Sequence, residues 1–203
     1  METRIYLIRH GQTAWNKELR CQGHTDVPLD EAGRRQAREL AERLRTLPLQ
    51  AVYSSDLQRA RETAELLAAP HGLNVVTTPF LRERNMGRWT GLTWTDRERG
   101  WPELCVRWDH GDRDMPEDLA MEPYGALTER LVAAIREVAE KRPGADVAIV
   151  THGGFIAALL DYLGIPVAGR RPFLQNCAVT PLVVGGAQGW WIDQETARPE
   201  ASA

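Results

Sequence analysis

Lysine is almost missing from this chain. Of its 25 basic residues only Lys17 and Lys141 are lysine; the other 23 are arginine. Genome composition accounts for most of that bias, but arginine also brings a rigid, permanently charged fork suited to phosphate or carboxylate. Cysteine is scarce too. Cys21, Cys105 and Cys177 are odd in number, widely spaced and free of any C-x-x-C or zinc pattern, so a disulfide scaffold is excluded and a reducing cytoplasm is the expected setting. No apolar run approaches the roughly 18 residues of a membrane span. The opening Met1 to Ile5 has no basic stretch leading into an apolar one, so no signal peptide is expected. Excess positive charge is lacking as well: the net charge is -3, which gives no reason to expect nucleic acid as a partner. There is no G-x-x-x-x-G-K-[ST] and no G-x-S-x-G, and no cysteine is followed by an arginine six residues on. A P-loop nucleotide site, a hydrolase elbow and a cysteine-dependent phosphatase are thereby set aside.

What remains is an ordinary globular composition, 43% apolar and 26% charged over 203 residues, the size of one domain with a small cap. Strand-like runs at Ile5–Ile8, Ala51–Tyr53, Asn74–Phe80 and Val147–Val150 alternate with helix-like stretches. These helices are expected after Asp30, over Asp56–Ala69, Leu127–Lys141 and Gly154–Leu163. Asp30 is a ready N-cap. Ala178–Val184 and Gly189–Ile192 read as a closing hairpin turned at Gly185–Gly186, on which Trp190 and Trp191 pack. The pattern predicts an α/β fold in three layers, a mostly parallel sheet with helices on both faces. It predicts one domain over residues 1–193, an irregular insertion or small helical cap at about 94–123, and a flexible tail at 194–203. Trp94, Trp101 and Trp108 fall at seven-residue intervals in that insertion and are read as packing a helical patch onto the body.

Ligands of open α/β sheets bind beyond the carboxyl ends of strands. The first strand run is followed by Arg9-His10-Gly11 and the fourth by Thr151-His152-Gly153-Gly154. One such histidine is ordinarily structural. Two at equivalent strand ends, each followed by glycine that lets a ligand approach the backbone, point to one shared site if the strands are neighbours. The second strand runs into a helix that places Arg59 in its first turns, where free backbone N–H groups favour an anion. Taken alone, Arg59 could equally pair on the surface with Glu62 or Glu65. Together with Arg9 and the two imidazoles it makes a cationic cluster that fits a phosphoryl group. Cleaving a phosphate ester also needs a proton for the leaving oxygen, and Glu83 follows the third strand. Spacing alone does not single it out among many glutamates. His24 and Cys21 lie near this site in sequence; solvent exposure and a bystander role are their default readings, and His71 and His110 show no ligand spacing.

Four motifs occur in order. They are Arg9-His10-Gly11-Gln12-Thr13-x-x-Asn16, Ser54-Ser55-Asp56-Leu57-x-Arg59-Ala60-x-x-Thr63-Ala64, Leu81-x-Glu83-x-x-x-Gly87-x-Trp89-x-Gly91-Leu92 and Thr151-His152-Gly153-Gly154. Together they resemble the histidine phosphatase superfamily, the phosphoglycerate mutase-like family, over roughly residues 4–93 and 124–165. Cys21 to Leu29 is also similar to that family's loop after the first motif. The resemblance implies a phosphoglycerate mutase-like fold and a phosphomonoester hydrolase acting on small phosphorylated metabolites. It implies that His10 is the nucleophile, forming a phosphohistidine, and that Arg9, Arg59 and His152 hold the phosphoryl oxygens. Glu83 would serve as proton donor and acceptor, and Asn16, Gln22, Gly23 and Gly153 would complete the phosphate pocket. No metal and no cofactor is expected, and a homodimer is left open.

Within the family, mutases carry Glu-Arg-His-Tyr-Gly where this chain has Glu83-Arg84-Asn85-Met86-Gly87, which favours the phosphatase branch. Phosphoglycerate mutase-type transfer is the alternative, and a non-catalytic phospho-ligand binder a third reading. Arg88, Thr90 and Met121-Glu122-Pro123 depart from the phosphatase pattern and are expected at the substrate mouth, with Arg82, Arg84 and Arg88 forming a third arginine group there.

Overall fold

The computed structural model describes residues 1–165, 174–185 and 189–193; the expected turn at Gly186 and the tail at 194–203 lie outside them. Six strands form one sheet: β1 (Thr3–Arg9), β2 (Leu49–Ser55), β3 (Val75–Thr78), β4 (Asp146–Thr151), β5 (Val179–Val184) and β6 (Trp190–Ile192). Their order is β3-β2-β4-β1-β5-β6. The first four in that order run parallel, β5 pairs antiparallel with β1, and β6 pairs antiparallel with β5, so the sheet is mixed. β1 and β4 are almost continuously apolar because both their faces are covered.

Seven helices are described: α1 (Ala14–Lys17), α2 (Glu31–Arg43), α3 (Gln58–Ala68), α4 (Trp94–Gly100), α5 (Pro102–Asp109), α6 (Tyr124–Lys141) and α7 (Gly153–Tyr162). Asp30 caps α2 by accepting from the Gly33 amide at 2.7 Å. Its Ala37 and Leu40 bury against Ala60, Ala64 and Leu67 of α3 over one face of the sheet. On the other face Leu131 and Ile135 of α6 meet Phe155 and Leu159 of α7. Each fully buried Leu or Ile contributes about 1.5–3 kcal/mol, so the two helical layers fix the sheet firmly.

Several boundaries differ from the sequence reading. The third strand stops at Thr78, because Pro79 starts a 3-10 turn that ends at Leu81. The region after Trp94 is more regular than expected: Thr93 and Asp96 form a capping box on α4, and Pro102 opens α5. Around fully buried Trp89 a small core gathers Cys105, Leu119, Trp94, Trp101 and Trp108. The tryptophans thus hold a helical cap together. Trp190 packs on the α6/α7 core near Tyr162, with ring centroids 6.4 Å apart.

Candidate active site

β1 and β4 are hydrogen-bonded neighbours with Arg9 opposite Thr151, so the residues that follow, His10 and His152, leave the sheet at the same level. Their ring centroids lie 5.2 Å apart. The His10 amide donates to the Thr151 carbonyl at 3.0 Å, continuing the ladder one residue past the strand. β2 adjoins β4 on the other side, and the first turn of α3 carries Arg59 to the same point.

His10 is 3% exposed. Its Nδ1 lies 2.7 Å from the Gly11 carbonyl, and Arg59 Nε donates to its Nε2 at 3.3 Å. A carbonyl can only accept, so Nδ1 carries the proton and Nε2 presents a lone pair. Burial, then the charges of Arg59 and Arg9, hold the His10 pKa well below the usual histidine range. His152 is fully buried and displaced the same way, first by burial and then by Arg59. Neither of its ring nitrogens has a hydrogen-bond partner, an expensive state for a buried imidazole that a bound oxyanion would relieve.

One end of the site is cationic. Arg59, 1% exposed, anchors its outer nitrogens on the carbonyls of Thr25 at 2.7 Å and Gly23 at 2.9 Å. Burial brings its pKa down to about 10, so it stays charged at neutral pH. Arg9 donates to the Leu174 carbonyl, while its buried Nε has no partner. Burial likewise lowers the Arg9 pKa.

Glu83 reaches this end although β3 is the edge strand. Thr151 Oγ1 donates to the Leu81 carbonyl at 2.7 Å and draws the chain back over β4. The carboxylate then accepts from the Gly154 amide at 3.0 Å and the Arg84 amide at 2.9 Å. A Cβ at 154 would stand 2.4 Å from Glu83 Oε1, so the glycine there lets the carboxyl group keep this position.

A cavity of about 530 Å³ opens on these groups. Arg9, His10, Asn16, Gln22, Gly23, Arg59, Glu83 and Gly153 all line it, whereas His152 does not. Gln22 is held by Thr13 Oγ1 at 3.1 Å. Among the described residues no cluster of three His, Cys, Asp or Glu side chains could hold a metal ion.

The sequence profile of the histidine phosphatase superfamily (branch 1) matches residues 5–195. The chain belongs to that superfamily. As a histidine phosphatase superfamily member it is 40% identical to phosphoglycerate mutase-like protein 4 of Arabidopsis thaliana, over 93% of this chain and 82% of that protein. It is 38% identical to a probable phosphoglycerate mutase GpmB of Yersinia pestis, over 93% of this chain and 90% of that protein. A solved mycobacterial glucosyl-3-phosphoglycerate phosphatase, complexed with VO3, superposes with a TM-score of 0.79 at 33% identity, covering 94% of this chain and 97% of that one.

Some expectations about this superfamily member are corrected by the geometry. The α3 N-terminus is not free for an anion: Asp26 already accepts from the Gln58 amide at 2.6 Å. Glu62 and Glu65 are not partners of Arg59; they pair with Arg34 and Arg61. The expected arginine trio at the mouth breaks up. Arg82 pairs with Asp56 through two bonds of 2.6 and 2.7 Å, and exposed Arg88 lies 3.9 Å from Asp118. Arg84 alone of the three lines the cavity, between Trp108 and Tyr124. Thr90 and Met121 to Pro123 do not line it either. His24 is half-buried and bonds the Glu83 carbonyl at 2.7 Å rather than facing solvent.

Two supporting residues escaped sequence reasoning. Asn176 Nδ2 donates to the His10 carbonyl at 2.9 Å, from a segment with no strand-end signal. Thr63 Oγ1 takes the Gly11 amide at 3.1 Å and gives its own proton to the Arg59 carbonyl at 2.7 Å, tying the His10 loop to α3. Thr63 lies within the quoted second motif, but nothing in the spacing states its role.

The displaced histidines carry a pH prediction. Their folded pKa lies below the ordinary 6.5, so between those values the unfolded chain binds more protons and stability falls as pH falls. Imidazole NMR of the ligand-free protein is expected to show both rings still neutral as pH drops through about 6.5. Protonation of either at or above that value would contradict the assignment.

Proposed function

We propose that this protein is a phosphomonoester hydrolase working through a phosphohistidine on His10, with small phosphorylated metabolites as substrates. The observation that carries the reading is the buried, neutral His10. Its Nε2 lone pair faces the Arg59 guanidinium at 3.3 Å, in a cavity that Arg9 also lines. Nε2 attacks phosphorus and the ester P–O bond breaks. Arg9 and Arg59 bind oxygens on which charge develops, and His152, its ring centroid 5.2 Å from that of His10 and its nitrogens unpartnered, is drawn from just off the cavity wall onto a third. Glu83 gives its proton to the leaving alkoxide. It then takes one from water as that water attacks phosphorus and the P–N bond breaks, restoring His10 and releasing inorganic phosphate. A cavity of about 530 Å³ suits a small metabolite. The cationic pocket supplies the charge that a metal ion would otherwise bring.

The names of the Arabidopsis and Yersinia relatives favour a second reading, mutase-type transfer between two oxygens of one substrate. Asn85 and Met86 in place of the mutases' His and Tyr weigh against it. The deciding assay incubates the protein, with a chelator present, with a panel of phosphomonoesters and with 3-phosphoglycerate plus its bisphosphate. Release of inorganic phosphate is expected. Rapid isomer exchange without phosphate release would make it a mutase, and no turnover at all would leave a phospho-ligand binder. Loss of activity only when the chelator is added would sink metal independence.

A further inference from the structure

Glu83 is held from behind by two residues that do not line the cavity. Arg130, on α6, forms a two-pronged ion pair with Glu122: Nε to Oε1 and Nη2 to Oε2, both 2.9 Å. The pair is largely buried, at 17% and 16% side-chain exposure. The same guanidinium donates from Nη1 to the carbonyls of Phe80 at 2.8 Å and Arg82 at 3.0 Å, and from Nη2 to that of Glu83 at 3.3 Å. Glu122 completes the grip. Its Oε2 accepts from the Asn85 amide at 3.1 Å, its own amide donates to the Asn85 carbonyl at 2.9 Å, and its carbonyl accepts from Arg84 Nε at 2.7 Å. With Thr151 on the Leu81 carbonyl, every residue from Phe80 to Asn85 has a partner outside the segment.

A segment without regular structure has no ladder of its own to fix it, and its carbonyls must find donors elsewhere. A guanidinium offers five N–H groups in a fixed plane, and here all its charge is directed at one carboxylate and three carbonyls of one loop. The loop carries the carboxyl group on which proton transfer depends. We propose that Arg130 and Glu122 are positioning residues for Glu83, their ion pair setting the height at which its carboxyl group meets the leaving oxygen. The inference rests on the reading of Glu83 as proton donor and acceptor. It explains why Glu122, which the family resemblance placed at the substrate mouth, pairs with Arg130 and does not line the cavity.

A purely structural clamp would lower stability and slow every substrate alike. A positioning role shows in the leaving group. Phosphoryl transfer from p-nitrophenyl phosphate needs little proton donation, whereas an alkyl phosphate needs a full one. The experiment measures the rate of phosphoenzyme formation by rapid alkaline quench, with p-nitrophenyl phosphate and with an alkyl phosphate that the wild-type protein turns over. Arg130→Gln, Glu122→Gln and Glu83→Gln are compared, with inorganic phosphate affinity as a check on the phosphate pocket. Arg130→Gln and Glu122→Gln are expected to slow the alkyl ester on the order of 10²-fold, the scale of a small misplacement of a catalytic group. They should slow p-nitrophenyl phosphate less than about tenfold and leave phosphate affinity unchanged, matching the pattern of Glu83→Gln. Arg130→Lys, which keeps the charge but not the fork, should recover only part of the loss.

If both esters slow equally, or neither slows, while Glu83→Gln still discriminates between them, the positioning inference is overturned and the role of Glu83 stands. Should Glu83→Gln itself fail to discriminate, the role of Glu83 fails and the inference with it. If Arg130→Gln does not fold, Glu122→Gln, which removes a charge without changing volume, decides the matter by the same comparison.

Discussion

Turnover is expected to fall by roughly 10⁴-fold or more when His10 is replaced by alanine, because the covalent route then has no nucleophile. No neighbour can take its place. His152 is fully buried and does not line the cavity. Burial raises the Cys21 thiol to about 11, which leaves almost no thiolate at neutral pH, although Cys21 does line the cavity. The measurement is steady-state phosphate release, with labelled phosphate trapped on the protein by rapid quench as a second readout. Wild type is expected to carry one acid-labile phosphate on His10, and the alanine variant none. Substantial activity in the variant would remove the phosphohistidine from the mechanism. The fold should tolerate the change, since His10 bonds the sheet through its backbone and Asn176 holds its carbonyl.

Glu83→Gln should lower turnover by about 10²–10⁴-fold, the usual reach of general acid–base catalysis. Glutamine keeps the shape but has a single acceptor oxygen, so it keeps one of the two amide bonds, from Gly154 or from Arg84, while Arg130 and Thr151 still hold the loop through its carbonyls. It can neither give nor take the proton. In the proposed mechanism both chemical steps use that proton, and the two are separable. With an activated aryl ester the first step should survive as a burst of product, and phosphoenzyme should then accumulate because water is no longer activated. A variant that loses less than about tenfold with an alkyl ester would assign the proton to another group.

How much of this was legible in advance varies by residue. The two His-Gly pairs were readable because each directly follows an apolar run, and strand ends are where such sheets bind ligands. Asp30 as a cap and the inward face of α2 were readable from local chemistry and helical period. Local propensity overextends the third strand because Val, Thr and Phe favour strands, while Pro79 imposes a turn. The arginines were least legible. Arg9 and Arg59 enter the pocket, Arg82 pairs with Asp56, and Arg130 grips the Glu83 loop, yet all four look alike in a chain with 23 arginines.

By itself the sequence determined the class of fold, the order of strands and helices along the chain, and the residue types that gather at the cavity. Those depend on local periodicity and on short motifs, which are written in neighbouring residues. Tertiary structure alone decided that β1 lies beside β4, bringing His10 and His152 within 5.2 Å, and that Glu83 returns from an edge strand to join them. It also decided which guanidinium lines the cavity, which pairs with a carboxylate and which bonds the carbonyls of the Glu83 loop. Strand order and side-chain partners come from contacts between residues tens to over a hundred positions apart. No local pattern encodes them; they follow from burying both faces of one sheet while leaving no buried charge without a partner.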